Sequence, residues 1–269
     1  MRTSYRSVLL HLLATCLAFT SVVAESQQDG EAAELPSGAL NSIPGNAHEF
    51  YFTRAIYSGE FDAYDDGGRW AVDYPKADNQ FLVALKRLSI VDAYESDNAV
   101  ELTDPRLRHF PLLYAVEVGS MSLTDKEVVA LRNYLLAGGF LVIDDFWGSW
   151  AWDQFVAQMQ RVFPDRAIVE IPQDHPLFHA FYNIDKIIQV PNVRQGWAAA
   201  SGGPTHEYDG IVPHARGIFD DDGRLMVLIN WNTDLGDAWE WADDPNYPLR
   251  FSTYSFEIGI NFVIYAMTH

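Results

Sequence analysis

Cysteine is almost missing from this chain of 269 residues, which has one, Cys16. Cys16 lies in an apolar N-terminal stretch that we expect to be removed from the mature protein. The mature chain then has no disulfide, no thiolate metal ligand and no thiol nucleophile. Its stability must come from a hydrophobic core, for which the 48% content of hydrophobic residues is sufficient.

Basic residues are also scarce, with 18 lysines and arginines against 37 aspartates and glutamates and a formal charge of −19. The sequence contains neither a basic run nor a basic amphipathic helix. Such a chain repels a phosphate backbone, so we expect no nucleic-acid partner. The 20% content of charged residues is too low for a disordered chain and is typical of a globular domain.

Long apolar runs are missing except near the N-terminus. There Arg2 and Arg6 precede the apolar stretch Val8–Val23, and Ala24 follows it. This pattern predicts a secretory signal peptide over residues 1–24, and therefore an exported protein, periplasmic or extracellular. The alternative is an uncleaved anchor, but the run is shorter than the ~20 residues that a membrane span needs. We expect no membrane span after cleavage.

The rest of the chain divides into a tether and one domain. Segment 25–47 is polar, contains glycines and prolines, and has no sustained hydrophobic period, so it predicts a flexible linker. Residues 48–269 show no internal repeat and no second change in composition. We therefore predict a single domain over this range.

Several familiar catalytic motifs are missing as well: GxSxG, HExxH, GxxxxGK[ST] and GxGxxG. Gly119-Ser120 lacks the second glycine of a nucleophile elbow, which argues against serine catalysis. The run Asp220–Gly223 lacks the spacing and terminal glutamate of a calcium-binding loop and predicts only a turn.

A clear strand–helix–strand unit lies in the middle of the chain. Leu112–Val118 is nearly all apolar, as in a strand buried on both faces. Thr124 and Glu127 form a capping-box signature, and a helical apolar stripe follows until Gly138-Gly139. Phe140–Ile143 is a second buried strand. Such a unit predicts a right-handed parallel crossover.

Similar patterns elsewhere predict an α/β fold with a mostly parallel sheet, helices on both faces and a C-terminal antiparallel addition. The other predicted strands are Phe50–Tyr57, Ala99–Leu102, Ile168–Ile171, Gly217–Phe219 and Leu225–Ile229, and the other predicted helices are Ala77–Leu88, Asp153–Phe163 and one near the C-terminus. The turn Asp220–Gly223 predicts a hairpin between two of these strands.

Ligands of open parallel sheets bind beyond the carboxyl ends of the strands, which points to Val118–Ser120 and to Asp144–Trp150. Asp144 and Asp145 follow the strand from Phe140 and would point to opposite faces if the extended backbone continued. The one that faces a pocket is a candidate metal ligand or general base; the alternative is that one acid caps the following helix and the other hydrogen-bonds the loop. His175 follows the strand ending at Ile171 and is a candidate base or ligand, or else satisfies loop backbone groups.

The segment Asn230–Trp241 combines carboxylates with tryptophans. Its acids are Asp234, Asp237 and Glu240, and its indoles are Trp231, Trp239 and Trp241. The indoles could form a stacking floor for a sugar or an aromatic ligand. The alternative is a surface loop stabilised by its aromatic residues.

Taken together, these motifs resemble the bacterial domain-of-unknown-function family 4159. The resemblance rests on Thr53-Arg54, Tyr57, Gly68-Arg69-Trp70, the helix Leu123–Leu136 leading into GGFLVIDDFWGS, FPD at 163–165, HPLF at 175–178, DLGDAWEW at 234–241 and GINFVIYA at 259–266. It covers nearly all of the predicted domain.

The resemblance implies a flavodoxin-like fold of the class I glutamine amidotransferase-like type. Amidotransferases of that type use a cysteine nucleophile, which the mature chain lacks, so their chemistry is excluded. Gly119-Ser120 stands where the family commonly has a glycine-histidine pair. The retained elements make Asp144, Asp145 and His175 the candidate catalytic residues. The candidate ligand-binding residues are Arg69, Trp70, Trp147, Asp234, Trp239 and Glu240.

Two functions remain open. The first is a non-catalytic periplasmic binding or interaction module whose partner is a small polar molecule, a glycan or another protein. The second is a hydrolase of a carbohydrate or small polar substrate, assisted by a divalent metal in one version. The metal-assisted version depends on the acids and His175 meeting in one cavity.

Overall fold

The structure is a computed structural model that describes residues 48–60 and 68–269. The predicted signal peptide (1–24) and linker (25–47) lie outside the described residues. Within the described ranges, no helix combines the length and apolar character needed to cross a membrane.

A seven-stranded sheet forms the centre of the domain. Its strands are β1 (Thr53–Ile56), β2 (Asn98–Glu101), β3 (Leu112–Val116), β4 (Phe140–Asp144), β5 (Val169–Glu170), β6 (His214–Phe219) and β7 (Leu225–Trp231). They lie in the order β2-β1-β3-β4-β7-β6-β5. Strands β2, β1, β3, β4 and β7 are mutually parallel. Strand β6 is antiparallel to both of its neighbours, β7 and β5. The predicted α/β class, parallel sheet and late antiparallel addition are confirmed.

Helices cover both faces of this sheet. They are α1 (Lys76–Leu88), α2 (Asp125–Leu136), α3 (Gly148–Val162), α4 (Val193–Ala199), α5 (Leu235–Glu240) and α6 (Leu249–Thr268). Helix α3 begins five residues before the predicted Asp153, because its buried stripe already includes Ala151 and continues through Phe155 and Met159 at helical spacing.

Two hydrophobic cores lie on opposite faces of the sheet, as alternation along the strands requires. In β3, Leu112, Tyr114 and Val116 join the core beneath α1, α5 and α6, whereas Leu113 and Ala115 join the core beneath α2 and α3. Burial of each large apolar side chain contributes about 1.5–3 kcal/mol. Strand β3 is therefore fixed from both sides.

The predicted β3–α2–β4 unit is present, and its capping box is complete. The Glu127 carboxylate accepts hydrogen bonds from the Thr124 backbone N and hydroxyl, both at 2.7 Å, while the Thr124 hydroxyl accepts one from Glu127 N at 3.3 Å. Glu127 also accepts from Ser58 N at 2.9 Å, which ties the segment after β1 to the start of α2. Because β1, β3, β4 and β7 are parallel to one another, their carboxyl ends lie at the same edge of the sheet.

Candidate functional site

Two neighbouring parallel strands end in acidic residues with left-handed backbone. Glu117 follows β3 with φ 54° and Asp145 follows β4 with φ 47°. Glu117 N donates to Asp145 O at 2.9 Å, so the two turns are joined. Non-glycine residues seldom adopt this conformation, and it ends the alternation of side chains along β4. The condition for Asp144 and Asp145 to point to opposite faces is therefore not met.

Asp144 links β4 to the start of α5. Its Oδ2 accepts hydrogen bonds from Tyr114 Oη at 2.5 Å, Leu235 N at 2.8 Å and Gly236 N at 3.2 Å. The side chain is fully buried, and burial raises its pKa to about 7 although these donors oppose the rise. Asp144 thus binds the amino end of α5, whereas the sequence interpretation had one of the two acids capping the helix that directly follows, α3.

Asp145 instead approaches two other acids. One carboxylate oxygen from each of Asp73, Asp145 and Asp234 lies within 4.8 Å of the other two; we call these residues the acid triad. Asp73 lies in the turn before α1, and Asp234 caps α5 by accepting from Asp237 N at 2.7 Å. Burial, followed by repulsion from neighbouring carboxylates, raises the pKa of all three well above the usual range.

A second group of acids overlaps the triad. Asp73, Asp237 and Glu240 also bring one oxygen each within 4.8 Å of one another. Asp237 is held by Val193 N at 2.6 Å and Trp241 Nε1 at 3.1 Å, and burial raises its pKa to about 6. Asp73 is shared by both groups.

The nearest buried cation is already paired. Arg54 is fully buried and donates to Asp78 at 2.8–3.1 Å through Nε and Nη2. The positive charge of Arg54 lowers the pKa of Asp73 and thereby offsets only part of the rise that burial and the neighbouring acids cause. The acid triad therefore has several carboxylates close together with no cation of its own among the described side chains.

A cavity of about 730 Å³ lies beside the triad. It is lined by Arg69, Glu117, Gly119, Ser120, Phe146, Trp147, Ser149, Trp150, Ala151, Glu207, Tyr208 and Asp209. Trp147 connects it to the triad, because Trp147 Nε1 donates to Asp145 Oδ1 at 3.2 Å. Arg69 pairs with Glu117 at 3.4 Å on the wall. We call this space the aromatic cavity.

The structure brings together most of the residues that the sequence singled out. Asp144, Asp145, Asp234 and Glu240 lie at the acidic edge, and Arg69 and Trp147 line the aromatic cavity. Trp70 is buried and lines a different cavity, of about 450 Å³, beside the end of β1. Its carbonyl accepts a hydrogen bond from Arg54 at 3.2 Å.

Trp239 and His175 do not join the site. Trp239 is fully buried in the core, with its ring 4.6 Å from Phe81 and 5.3 Å from Tyr114, so it cannot stack on a ligand. His175 accepts from Leu177 N at 3.2 Å and packs against Tyr265, whose hydroxyl binds Leu225 N at the amino end of β7. That is the sheet edge opposite the acids.

The other two indoles of Asn230–Trp241 also serve packing. Trp231 lies 4.5 Å from the ring of Trp152, and Trp241 lies under the Lys76 ammonium at 4.4 Å. The three indoles therefore form no common floor. The aromatic wall of the cavity comes instead from the start of α3 and from a loop residue, Tyr208.

Four acids of the site were missed by sequence reasoning: Asp73 and Glu117, and also Glu207 and Asp209 in the cavity lining. Glu117 was inside the predicted strand Leu112–Val118, where its polar character was the only sign that the strand ended earlier. Asp73 lies in a turn, and no strand end precedes it directly.

The model of one protein family, described as a domain of unknown function (DUF4159), matches residues 54–267 of the chain. No curated protein matches it. The match includes all of the strands except the first residue of β1, and every acid of the site.

Proposed function

We propose a binding function for this chain, which belongs to the DUF4159 family: it is a non-catalytic domain that binds a small polar ligand of the saccharide class in the aromatic cavity. The cavity itself carries the proposal. Its volume of about 730 Å³ falls within the roughly 300–1,000 Å³ of small-molecule sites. Its position beyond the strand ends is where open parallel sheets bind ligands.

The lining of the cavity suits a sugar. Trp150 and Tyr208 provide exposed aromatic faces against which the apolar face of a sugar ring can pack, and the buried Trp147 also lines the cavity. Ser149 and Asp209 provide hydroxyl and carboxylate groups for the ring hydroxyls, and they already bond to each other at 2.6 Å. Aromatic faces with polar groups at their margins favour a neutral polyol over a purely apolar ligand.

The scaffold we infer is flavodoxin-like, of the class I glutamine amidotransferase-like type. The five parallel strands follow the 2-1-3-4-5 order of that topology when β7 is counted as the fifth. The one cysteine, Cys16, precedes the family match and belongs to the expected signal peptide. We therefore propose an exported, periplasmic or extracellular scaffold without the cysteine nucleophile.

A hydrolase is the second candidate, and one observation favours it: the Glu117 carboxylate lines the cavity beside Asp145. Most glycoside hydrolases use two carboxyl groups that flank the scissile bond of the bound saccharide. His175 takes no part, because it lies at the opposite edge of the sheet. Release of reducing sugar from a bound glycan, abolished in Glu117→Gln, would favour the hydrolase over the binding module.

The binding proposal is tested with a panel of glycans and peptidoglycan fragments, screened by thermal shift and followed by calorimetry. Trp150 is 60% exposed, so Trp150→Ala removes a cavity wall without disturbing the core. We expect it to weaken binding of the best ligand by about tenfold or more, the loss of roughly 1.4 kcal/mol.

Trp197→Ala is the matched control, because Trp197 is 43% exposed and lies outside the cavity lining. It should leave the affinity unchanged. The proposal would be contradicted if no compound of the panel binds, or if Trp150→Ala and Trp197→Ala lose the same affinity.

A further inference from the structure

The geometry points to a calcium site formed by the acid triad, Asp73, Asp145 and Asp234. This inference is independent of the proposed saccharide ligand, since the carboxylates can hold a cation whether or not the aromatic cavity is occupied.

The spacing of the triad fits a calcium ion. Its three carboxylate oxygens lie within 4.8 Å of one another. Calcium takes oxygen ligands at about 2.3–2.6 Å, so donors on opposite sides of the ion are roughly 5 Å apart. The three oxygens are therefore close enough together to share one ion.

An orphaned oxygen marks the same place. Asp73 keeps some exposure as a residue, but its Oδ2 is shielded from solvent and has no hydrogen-bond partner among the described residues. A β-carbon added to Gly236 would lie 2.8 Å from this oxygen and 3.6 Å from Asp234 Oδ1. Asp73 Oδ2 and Asp234 Oδ1 thus lie beside the same space, which glycine at position 236 leaves free.

The charge balance leads to the same conclusion. A shielded carboxylate oxygen without a donor is costly unless a cation or a proton satisfies it. Asp144 and Asp237 lie around the triad and add to the repulsion. Arg54 is engaged with Asp78 by hydrogen bonds of 2.8–3.1 Å. A divalent cation would neutralise two of these charges at once.

The donors favour calcium over other ions. All three are carboxylates, whereas zinc favours sites with sulfur and imidazole donors, and no histidine belongs to the triad. Magnesium is usually held by one or two carboxylates and keeps several waters. Three carboxylates in one sphere, completed by water, are typical of calcium.

The first experiment uses wild-type protein that has been treated with EDTA and dialysed. We expect calorimetry with CaCl2 to give one site, and saturating CaCl2 to raise Tm by about 4 °C or more. We expect MgCl2 at equal concentration to give a smaller rise. No heat and no shift with CaCl2, or a greater shift with MgCl2, would overturn the calcium assignment.

The second experiment compares Asp73→Asn and Asp145→Asn with Asp222→Asn. Asp222 is exposed in the β6–β7 turn, so this control removes the same charge far from the triad. We expect both triad variants to lose the calcium-induced shift and to have a higher Tm than wild type without metal, because one repelling carboxylate is gone.

The control should behave as wild type. A calcium shift that persists in both triad variants would overturn the inference, and so would a lower metal-free Tm in both, which would assign the acids a purely structural role. These measurements contain no glycan. If calcium binds but no glycan of the panel does, only the proposed function is therefore rejected.

Discussion

Arg54 and Asp78 form a fully buried ion pair, both side chains having no exposed surface. The remaining guanidinium donors bind the carbonyls of Trp70 and Val72 at 3.2 and 2.9 Å. Asp73 follows Val72 directly, so this one arginine fixes the turn that presents an acid of the triad. The ion pair therefore positions Asp73 through the backbone and does not itself belong to the acid triad.

Removal of one partner should destabilise the protein strongly. Asp78→Ala leaves a buried guanidinium without its counterion, and we expect the free energy of unfolding to fall by about 3–5 kcal/mol. Urea denaturation followed by circular dichroism measures it. Asp221→Ala, which breaks an exposed pair with Arg166, should change little. Similar losses in the two variants would contradict this interpretation of Arg54.

Single residues of the site could be predicted only where a strand end marked them. Asp144 ends a buried strand and Asp145 follows it, so the rule for parallel sheets marked both acids, while Asp234 was singled out in the polar segment after the predicted strand Leu225–Ile229. Asp73 carries no such mark, since its position depends on the distant contacts of Arg54. Trp239 was wrongly predicted to bind a ligand and is buried in the core instead. The sequence could not show this, because an indole in a polar segment has the same pattern whether it packs in a core or faces solvent.

At the scale of elements, local chemistry determined what the sequence could predict. Thr124 and Glu127 gave the start of α2 correctly, because a capping box is formed by neighbours in the chain. The start of α3 was placed too late, since Trp147 provides no side-chain cap there. Strand β5 covers only Val169–Glu170, both exposed, because the sheet offers it a partner on one side alone.

The capping box itself can be tested. Thr124→Ala removes the acceptor for Glu127 N, and we expect a loss of about 1 kcal/mol in the free energy of unfolding. Equilibrium urea unfolding with an unchanged m-value would establish it. Thr268→Ala, at the exposed end of α6, serves as the comparison and should unfold as wild type does. An unaffected Thr124→Ala would mean that α2 starts without its cap.

At the scale of the whole molecule, the stability of the fold depends on pH through a histidine at the amino edge of the sheet. His175 lies at the amino edge, where burial and then the nearby His269 lower its pKa, while Asp174 opposes the shift. The folded state therefore binds this proton less readily than the unfolded state. Its contribution to stability is complete above the unfolded pKa of about 6.5 and declines as the pH falls below it.

His175→Asn tests this dependence while retaining an acceptor for Leu177 N. Between pH 7.5 and pH 5.0 we expect Tm to fall less in this variant than in wild type, because no imidazole has to be protonated. His206→Asn is the comparison, since His206 lies on a different loop. Parallel decreases in wild type and His175→Asn would rule out His175 as the source.

Helix α6 places a condition on how the domain acquires its structure during synthesis. Its 20 residues, about 30 Å of helix, cover the same sheet face as α1 and α5. Near its end, the Tyr265 hydroxyl accepts a hydrogen bond from Leu225 N at the start of β7. A growing chain can thus complete the core under α2 and α3 once β7 has been made, while the core on the other face stays open to water until α6 has left the ribosome.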